Sequence, residues 1–387
     1  MKPTQVTTPA ETKAPASPAK HDLRKVGASF DIPGTFISAS PYGSGHINDT
    51  YAATYEGRQG HTRYIHQRIN HQIFQNPVSL MQNIARVTMH QRRKLRAAGS
   101  RDLDRRALTI IPSRAGHAHH QDDEGNFWRT YIFVEGASTH DSIKSEEQAR
   151  QAARAFGEFQ KTLLDLPGQR LHETIPHFHD TPKRLETLIK AVEADAHNRA
   201  KEARPEIDFI LNRRALAFLL ADKQKAGLIP ERITHNDTKL NNVMLDDVTM
   251  EGVCVIDLDT VMPGLVLHDF GDMVRTATSP RPEDERDLSS IHIQMPMFRA
   301  LVDGYLTAAS SFLTPIEKDC LAASGKLITL EIGMRFLTDF LEGDGYFKIK
   351  RPGHNLDRSR TQLRLVESIE EHEDEMYQAV TAWMPRT

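Results

Sequence analysis

The densest set of reactive side chains lies in Ile233-Thr234-His235-Asn236-Asp237-Thr238-Lys239-Leu240-Asn241-Asn242, followed by the apolar run Val253–Ile256 and then Asp257. Asp237 stands two positions after His235, and Asn242 five after Asp237. A loop that offers a carboxylate and a carboxamide, with a second carboxylate leaving a nearby strand, suits phosphoryl transfer. In such sites one Asp orients an acceptor hydroxyl and the Asn reaches back to a metal ion. The second Asp bridges that metal to nucleotide phosphates. His235 is expected to brace the loop by hydrogen bonding rather than to react. Asp259 is a reserve ligand or an acceptor of hydrogen bonds behind the metal ligands. Asp269 and Asp272 are expected to cap the helix that carries Met273-Val274-Arg275.

Other elements must hold this loop. From residue 23 to 135 short β-branched and aromatic runs alternate with turns, as in Phe36–Ala39, Thr50–Tyr55, Arg63–Ile69 and Trp128–Val134. Pro77 opens a helix that continues through Leu80, Ile84, Val87 and Leu95. From 136 to 387 the pattern is helical: Ser145–Leu164, Thr181–Lys201, Ile207–Ala226, and then from Leu288 to Thr381 with a break at Gly343–Gly353. The expectation is an α+β chain with a bilobed, protein-kinase-like fold. A nucleotide-binding lobe (23–135) precedes a helical catalytic lobe (136–387), and residues 1–22 form a disordered tail.

Gly43-Ser44-Gly45 joins two expected strands, where a loop covering phosphates belongs. It is not a Walker A motif, because no Gly-Lys-Ser/Thr follows. Phe133, Val134 and Glu135, where the lobes join, are hinge candidates offering backbone groups to adenine. The third strand lacks the usual phosphate-pairing Lys; Arg68 is its nearest cation. The helix after it, Pro77 to Leu95, has no acidic residue, so Gln82 is the expected partner of Arg68.

The text from His235 to Asn242, with Ile256-Asp257-Leu258-Asp259-Thr260-Val261-Met262-Pro263-Gly264 and Asp269-Phe270-Gly271-Asp272, resembles the aminoglycoside phosphotransferase and choline kinase superfamily. Within it the chain is most similar to the N-acetylhexosamine 1-kinases. The segments Gly43–Tyr51, Gln67–Asn70, Tyr131–Gly136 and Leu330–Asp339 extend the resemblance from about residue 30 to the end. It implies that Asp237 is the catalytic base, that Asn242 and Asp257 hold Mg2+, and that ATP donates the phosphate. It implies a sugar acceptor (N-acetylglucosamine or N-acetylgalactosamine) phosphorylated at its anomeric hydroxyl. Glu331, Arg335 and Asp339 recur at four-residue steps on one helix and are the expected acceptor contacts, with Tyr346 stacking on the sugar ring. Another sugar or a choline-like amino alcohol is an alternative acceptor. A catalytically silent nucleotide-binding scaffold is the alternative of another class.

Composition agrees with this reading. The chain has 387 residues, 49 Lys+Arg and 52 Asp+Glu, so its formal net charge is −3. That balance argues against a nucleic-acid binder or a polybasic membrane protein. No apolar stretch approaches the ~20 residues of a membrane span. Two cysteines, Cys254 and Cys320, exclude a disulfide framework and fit a reduced, cytoplasmic setting for a monomer or homodimer. The first residues lack the apolar core of a secretory signal. The histidine groups around His117–His120 and His172–His179 lack a metal-binding pattern and are expected in surface loops.

Overall fold

The computed structural model describes residues 21–43, 45, 47–58 and 60–383. Ser44 and the stretch 1–20 lie outside the described residues. The chain divides into two units. The first runs to His71 and resumes over Ile110–Phe133; the second comprises Gln72–Thr109 and Val134 onward.

The first unit is an antiparallel sheet with one short helix. Helix α1 (Leu23–Ala28) starts at Asp22, whose carboxylate accepts from the Arg24 and Lys25 N–H groups. Strands β1 (Thr35–Pro41), β2 (Asp49–Gly57), β3 (Gly60–Ile69), β4 (Ile110–Ile111), β5 (His120–Gln121) and β6 (Phe127–Ile132) follow. The sheet order is β1-β2-β3-β6-β4, with β5 on β6. Leu23, Phe30, Tyr51, Tyr55, Tyr64 and Trp128 form its core. The register sets Asp49 opposite Arg68.

The second unit is mostly helical. Helices α2 (Pro77–Ala97) and α3 (Leu103–Arg106) belong to it, not to the sheet unit in which the sequence pattern placed them. The reason is packing. Leu80, Met81, Ile84 and Val87 of α2 are buried, and the Asn83 amide donates to the carbonyls of His172 (2.8 Å) and Val261 (3.1 Å). Next come β7 (Ala137–Ser138), α4 (Glu146–Leu163), α5 (Thr181–Ala194), α6 (Arg204–Asn212) and α7 (Leu219–Lys225). Helix α5 stops short of Lys201 because Asp195 takes a left-handed conformation (φ 37°). The expected helix Ile207–Ala226 is divided by a 3-10 turn at Arg214–Phe218.

Strands β8 (Arg232–Thr234), β9 (Val243–Asp246), β10 (Gly252–Val255) and β11 (Met262–Gly264) make two small ladders, β10-β9-β7 and β11-β8. Helices α8 (Val266–Ala277), α9 (Met295–Ala309), α10 (Pro315–Asp319), α11 (Leu321–Leu341), α12 (His354–Glu371) and α13 (Glu373–Trp383) complete the unit. Helix α11 is its axis: 19 of its 21 residues are buried, so a helix apolar on nearly all sides is covered by its neighbours. No helix among the described residues is long and apolar enough to cross a membrane.

Candidate active site

The loop between β8 and β9 carries Asp237, and neighbouring polar groups fix its backbone. Asn236 is left-handed (φ 65°), which turns the chain sharply between His235 and Asp237. Its N–H donates to Asp269 Oδ1 at 2.7 Å and the His235 N–H donates to Asp269 Oδ2 at 2.9 Å. The Thr238 N–H donates to Asp272 Oδ2 at 2.9 Å. Asp269 and Asp272 therefore do not cap their own helix, contrary to expectation. The N-cap of α8 is Leu265, with no side-chain cap bond. They sit one turn along α8, i and i+3, and that common face meets the loop.

His235 is fully buried against the Phe156 and Phe159 rings. Its Nε2 faces the Ile256 carbonyl at 2.9 Å, and its Nδ1 accepts from the Asp237 N–H at 3.3 Å. Both nitrogens are spent inside the fold, so this ring positions the loop.

Asp237 keeps 27% of its side-chain surface exposed. Its Oδ2 receives the Asn242 amide at 3.1 Å and the Lys239 ammonium at 3.2 Å; Oδ1 has no partner among the described residues. Burial favours the neutral acid, but Lys239 overcomes it and holds the carboxyl below its usual range. The result is an ionised carboxylate with one oxygen committed and one available. Lys239 is itself raised, first by Asp237, against burial, and also by Asp272 and Asp257.

Asn242 donates its amide to the Asp237 carbonyl (2.8 Å) and carboxylate, which leaves its Oδ1 an acceptor without a bond among the described residues. The β9–β10 pairing joins Val243 to Val255, and the Ile256 N–H continues it to the Asn242 carbonyl at 2.9 Å. Asp257, the next residue, is left-handed (φ 56°). The hairpin thus brings the backbones of Asn242 and Asp257 to the same end. Two hard oxygen donors from protein, with phosphates and water completing the shell, is the donor set Mg2+ accepts. Among the described residues no three His, Cys, Asp or Glu side chains converge for a metal.

The expected acceptor contacts separate into two kinds. Glu331 is fully buried and faces inward, accepting from His179 Nδ1 at 2.7 Å and from Thr181 Oγ1 at 2.5 Å. Asp339 is committed to the Tyr346 N–H (2.7 Å), the Phe347 N–H (2.9 Å) and the Asn355 amide (2.8 Å). Both carboxylates are engaged within the protein: Glu331 is tied through His179 to the Asn236 carbonyl, and Asp339 shapes the turn before α12. Arg335 is different: among the described residues it makes no hydrogen bond or ion pair, and it lies over the rings of Phe178 (5.2 Å), Phe347 (5.6 Å) and Tyr346 (5.9 Å). Tyr346 is exposed.

His179 is the residue that sequence reasoning misplaced most. It is buried rather than in a surface loop, and its Nε2 faces the Asn236 carbonyl at 3.0 Å while Nδ1 meets Glu331. Burial opposes its charge, yet Glu331 raises its pKa, and the ring links α11 to the Asp237 loop through both nitrogens. Burial would raise Glu331, but His179 and Thr181 bring it down to about 2. The Ser145–Leu164 helix likewise contributes unannounced: the Gln160 amide donates to Asp269 at 2.7 Å.

In the first unit, Gly43 is left-handed (φ 80°), and a Cβ at Gly43 or Gly45 would meet open space. Arg68 pairs with Asp49 across the sheet (2.6 and 2.7 Å), not with Gln82, which instead accepts from His172 at 2.9 Å. Asp49 is the neighbour in register, so no helix carboxylate is required. The Phe133 N–H is spent on the Arg63 carbonyl (3.1 Å), with the Arg63 guanidinium 3.7 Å from the Phe133 ring centroid. In the second unit Val134 is buried, and the Glu135 carbonyl accepts from Arg105 Nε at 2.9 Å. These bonds occupy part of the backbone that the hinge reading assigns to adenine.

Residues 38–298 match the model of the phosphotransferase enzyme family. Among solved structures, an aminoglycoside phosphotransferase from Alicyclobacillus acidocaldarius is similar over 96% of this chain and 99% of its own, at 12% identity and TM-score 0.56. A choline kinase from Cryptosporidium parvum is similar over 93% and 98%, at 12% identity and TM-score 0.53. A microcompartment-associated aminopropanol kinase is similar over 92% and 97%, at 15% identity and TM-score 0.52. At these identities the likeness speaks for the fold, an antiparallel sheet followed by a helical part. With the family match spanning most of the chain, and a loop built around Asp237 and Asn242, this chain belongs to the phosphotransferase enzyme family.

Proposed function

We propose that the protein is an ATP- and Mg2+-dependent kinase that phosphorylates the anomeric hydroxyl of an N-acetylhexosamine, giving the sugar 1-phosphate. The observation that carries this reading is Asp237, fixed through one carboxylate oxygen while the other makes no bond among the described residues. Asp237 orients the acceptor hydroxyl and takes its proton as the new oxygen–phosphorus bond forms and the bond to the ADP oxygen breaks. Asn242 Oδ1 and Asp257 would hold Mg2+, which when bound neutralises charge on the phosphates. Lys239, held beside Asp237, adds positive charge where transferring phosphate oxygens accumulate negative charge. Gly43, Ser44, Gly45 and Arg68, with the Phe133–Glu135 segment, are the nucleotide contacts in this reading; Ser44 lies outside the described residues.

Arg335 and Tyr346 are the remaining acceptor contacts. An exposed aromatic ring beside an unpaired guanidinium suits a polyhydroxy ring better than a quaternary ammonium, which the Arg335 charge would repel. That favours a sugar over the choline-like acceptors that the names of some relatives suggest. The resemblance of the sequence motifs supplies the N-acetylhexosamine.

The test is Asp237→Asn, assayed by ADP release with N-acetylglucosamine and MgATP. Turnover should fall by at least ~100-fold, the lower end of what a positioned base contributes, while MgATP binding persists. Turnover within a few-fold of the parent would mean that another group orients the acceptor.

A further inference from the structure

Two arginines of the second unit, Arg184 on α5 and Arg335 on α11, meet the same residue, Arg184 at the Phe178 carbonyl and Arg335 over the Phe178 ring at 5.2 Å. Among the described residues neither has a carboxylate partner within ion-pair distance. The Arg184 Nη2 donates to the Phe178 carbonyl at 3.0 Å, but its Nε is enclosed and finds no acceptor among the described residues. Arg335 is held by three aromatic rings, which accept none of its N–H donors. The nearby carboxylates are bonded elsewhere. Glu331 serves His179 and Thr181, Asp339 serves the 346–347 backbone and Asn355, and Asp180 caps α5 through the Lys183 N–H and pairs with His177. Other partly buried arginines of this unit are treated differently: Arg232 meets Glu317, Arg213 meets Glu370 and Arg360 meets Glu206.

A charge drawn partly out of water without a counter-ion is costly, and two together cost more. The planar guanidinium fork matches the oxygens of a phosphate or carboxylate. Tyr346, on the exposed side of Arg335, offers an aromatic face to a pyranose ring.

We propose that Arg184 and Arg335 form an anion-receiving subsite, so that the protein binds sugars carrying a phosphate or carboxylate more tightly than their neutral counterparts. This rests on the acceptor site lying at Arg335 and Tyr346. It adds a charge preference that the neutral N-acetylhexosamine reading does not contain. An acidic sugar held there is either an acceptor or a competitor of the neutral one.

The experiment is calorimetric titration of the full-length protein with two pairs of ligands at low and high salt. The pairs are N-acetylglucosamine against N-acetylglucosamine 6-phosphate, and glucose against glucuronate. The proposal predicts that at least one acid binds about tenfold or more tightly than its neutral partner, the margin of one charge-assisted hydrogen bond. The margin should narrow with salt, vanish in Arg184→Gln and survive partly in Arg184→Lys. Melting curves of both variants check that they fold. Equal affinities within each pair, a preference untouched by Arg184→Gln, or no binding by any of the four ligands would overturn it. Phosphorylation of N-acetylglucosamine by the parent protein is measured separately. Absence of that product and of its N-acetylgalactosamine counterpart defeats the N-acetylhexosamine kinase reading, whereas loss of the affinity ratio defeats the anion subsite.

Discussion

Replacing Asp269 with Ala removes the acceptor of two loop N–H groups and of the Gln160 amide. The carboxylate is fully buried, so bulk water does not take its place. A buried donor left without a partner costs about 1–3 kcal/mol, so the two backbone groups together cost roughly 2–6 kcal/mol. One water entering the new cavity would recover part of this. A helix-capping aspartate, the role expected from sequence, costs only about 1 kcal/mol when truncated. Set against a total stability of about 5–15 kcal/mol, the difference is measurable. Urea unfolding of Asp269→Ala should show a midpoint lowered by more than a capping loss, with the m-value retained. Exchange of the His235 and Asn236 amides should quicken, and turnover should drop because Asp237 loses its fixed backbone. A loss within about 1 kcal/mol, with normal turnover, would refute the view that α8 clamps the catalytic loop.

Other expectations follow from the same geometry. Glu317→Gln breaks a pair in which Arg232, at the entrance to the catalytic loop, bonds a fully buried carboxylate at 2.9 and 3.0 Å. It should cost about 3–5 kcal/mol, and a loss under about 1 kcal/mol in denaturant titration would contradict the pairing. At Gly271 a Cβ would lie 2.4 Å from the Ser324 carbonyl oxygen. Gly271→Ala should therefore destabilise by at least about 1–3 kcal/mol, and an unchanged melting temperature would show that α8 and α11 are not so close. The His179–Glu331 pair gives a pH signature. His179 is raised, so its contribution is complete below 6.5 and is lost as pH rises through its higher folded value. Glu331 is lowered, so its share is complete above 4.5 and is lost as pH falls toward about 2. The melting-temperature gap between the parent and Glu331→Gln should peak between these limits and shrink on either side; a flat gap would rule the pair out.

The Asp237 loop was legible as a unit because its residues are local in sequence. His235, Asp237 and Asn242 lie within one turn of chain, and Asp257 leaves the partner strand of a short hairpin. The alternation that marked β1, β2 and β3 was legible for the same reason. What sequence reasoning missed depends on contacts between distant segments. His179 meets Glu331 across 152 positions, and Asp269 meets Asn236 across 33. The four-residue spacing of Glu331, Arg335 and Asp339 revealed a shared helix but not which side chains the protein itself satisfies. The pairing of Arg68 with Asp49 was accessible in principle, since a two-strand register sets them opposite each other. The spacing of Asp269 and Asp272 gave a similar signal: two acids one turn apart on a largely apolar helix lie on one face and need partners there. The placement of α2 outside the sheet unit followed from burial of its Leu80 and Ile84 face, which periodicity marks as buried without naming the neighbour.

The central claim, transfer of phosphate to an anomeric hydroxyl with Asp237 as the orienting group, is tested most directly by phosphorus NMR. The full-length protein is incubated with MgATP and, in turn, N-acetylglucosamine, N-acetylgalactosamine, glucose and galactose, beside an Asp237→Asn control. The account predicts a new sugar 1-phosphate resonance with an N-acetylhexosamine, formed with ADP in equal amount and absent from the control. ATP left intact with every sugar, or phosphate attached elsewhere on the ring, would contradict it.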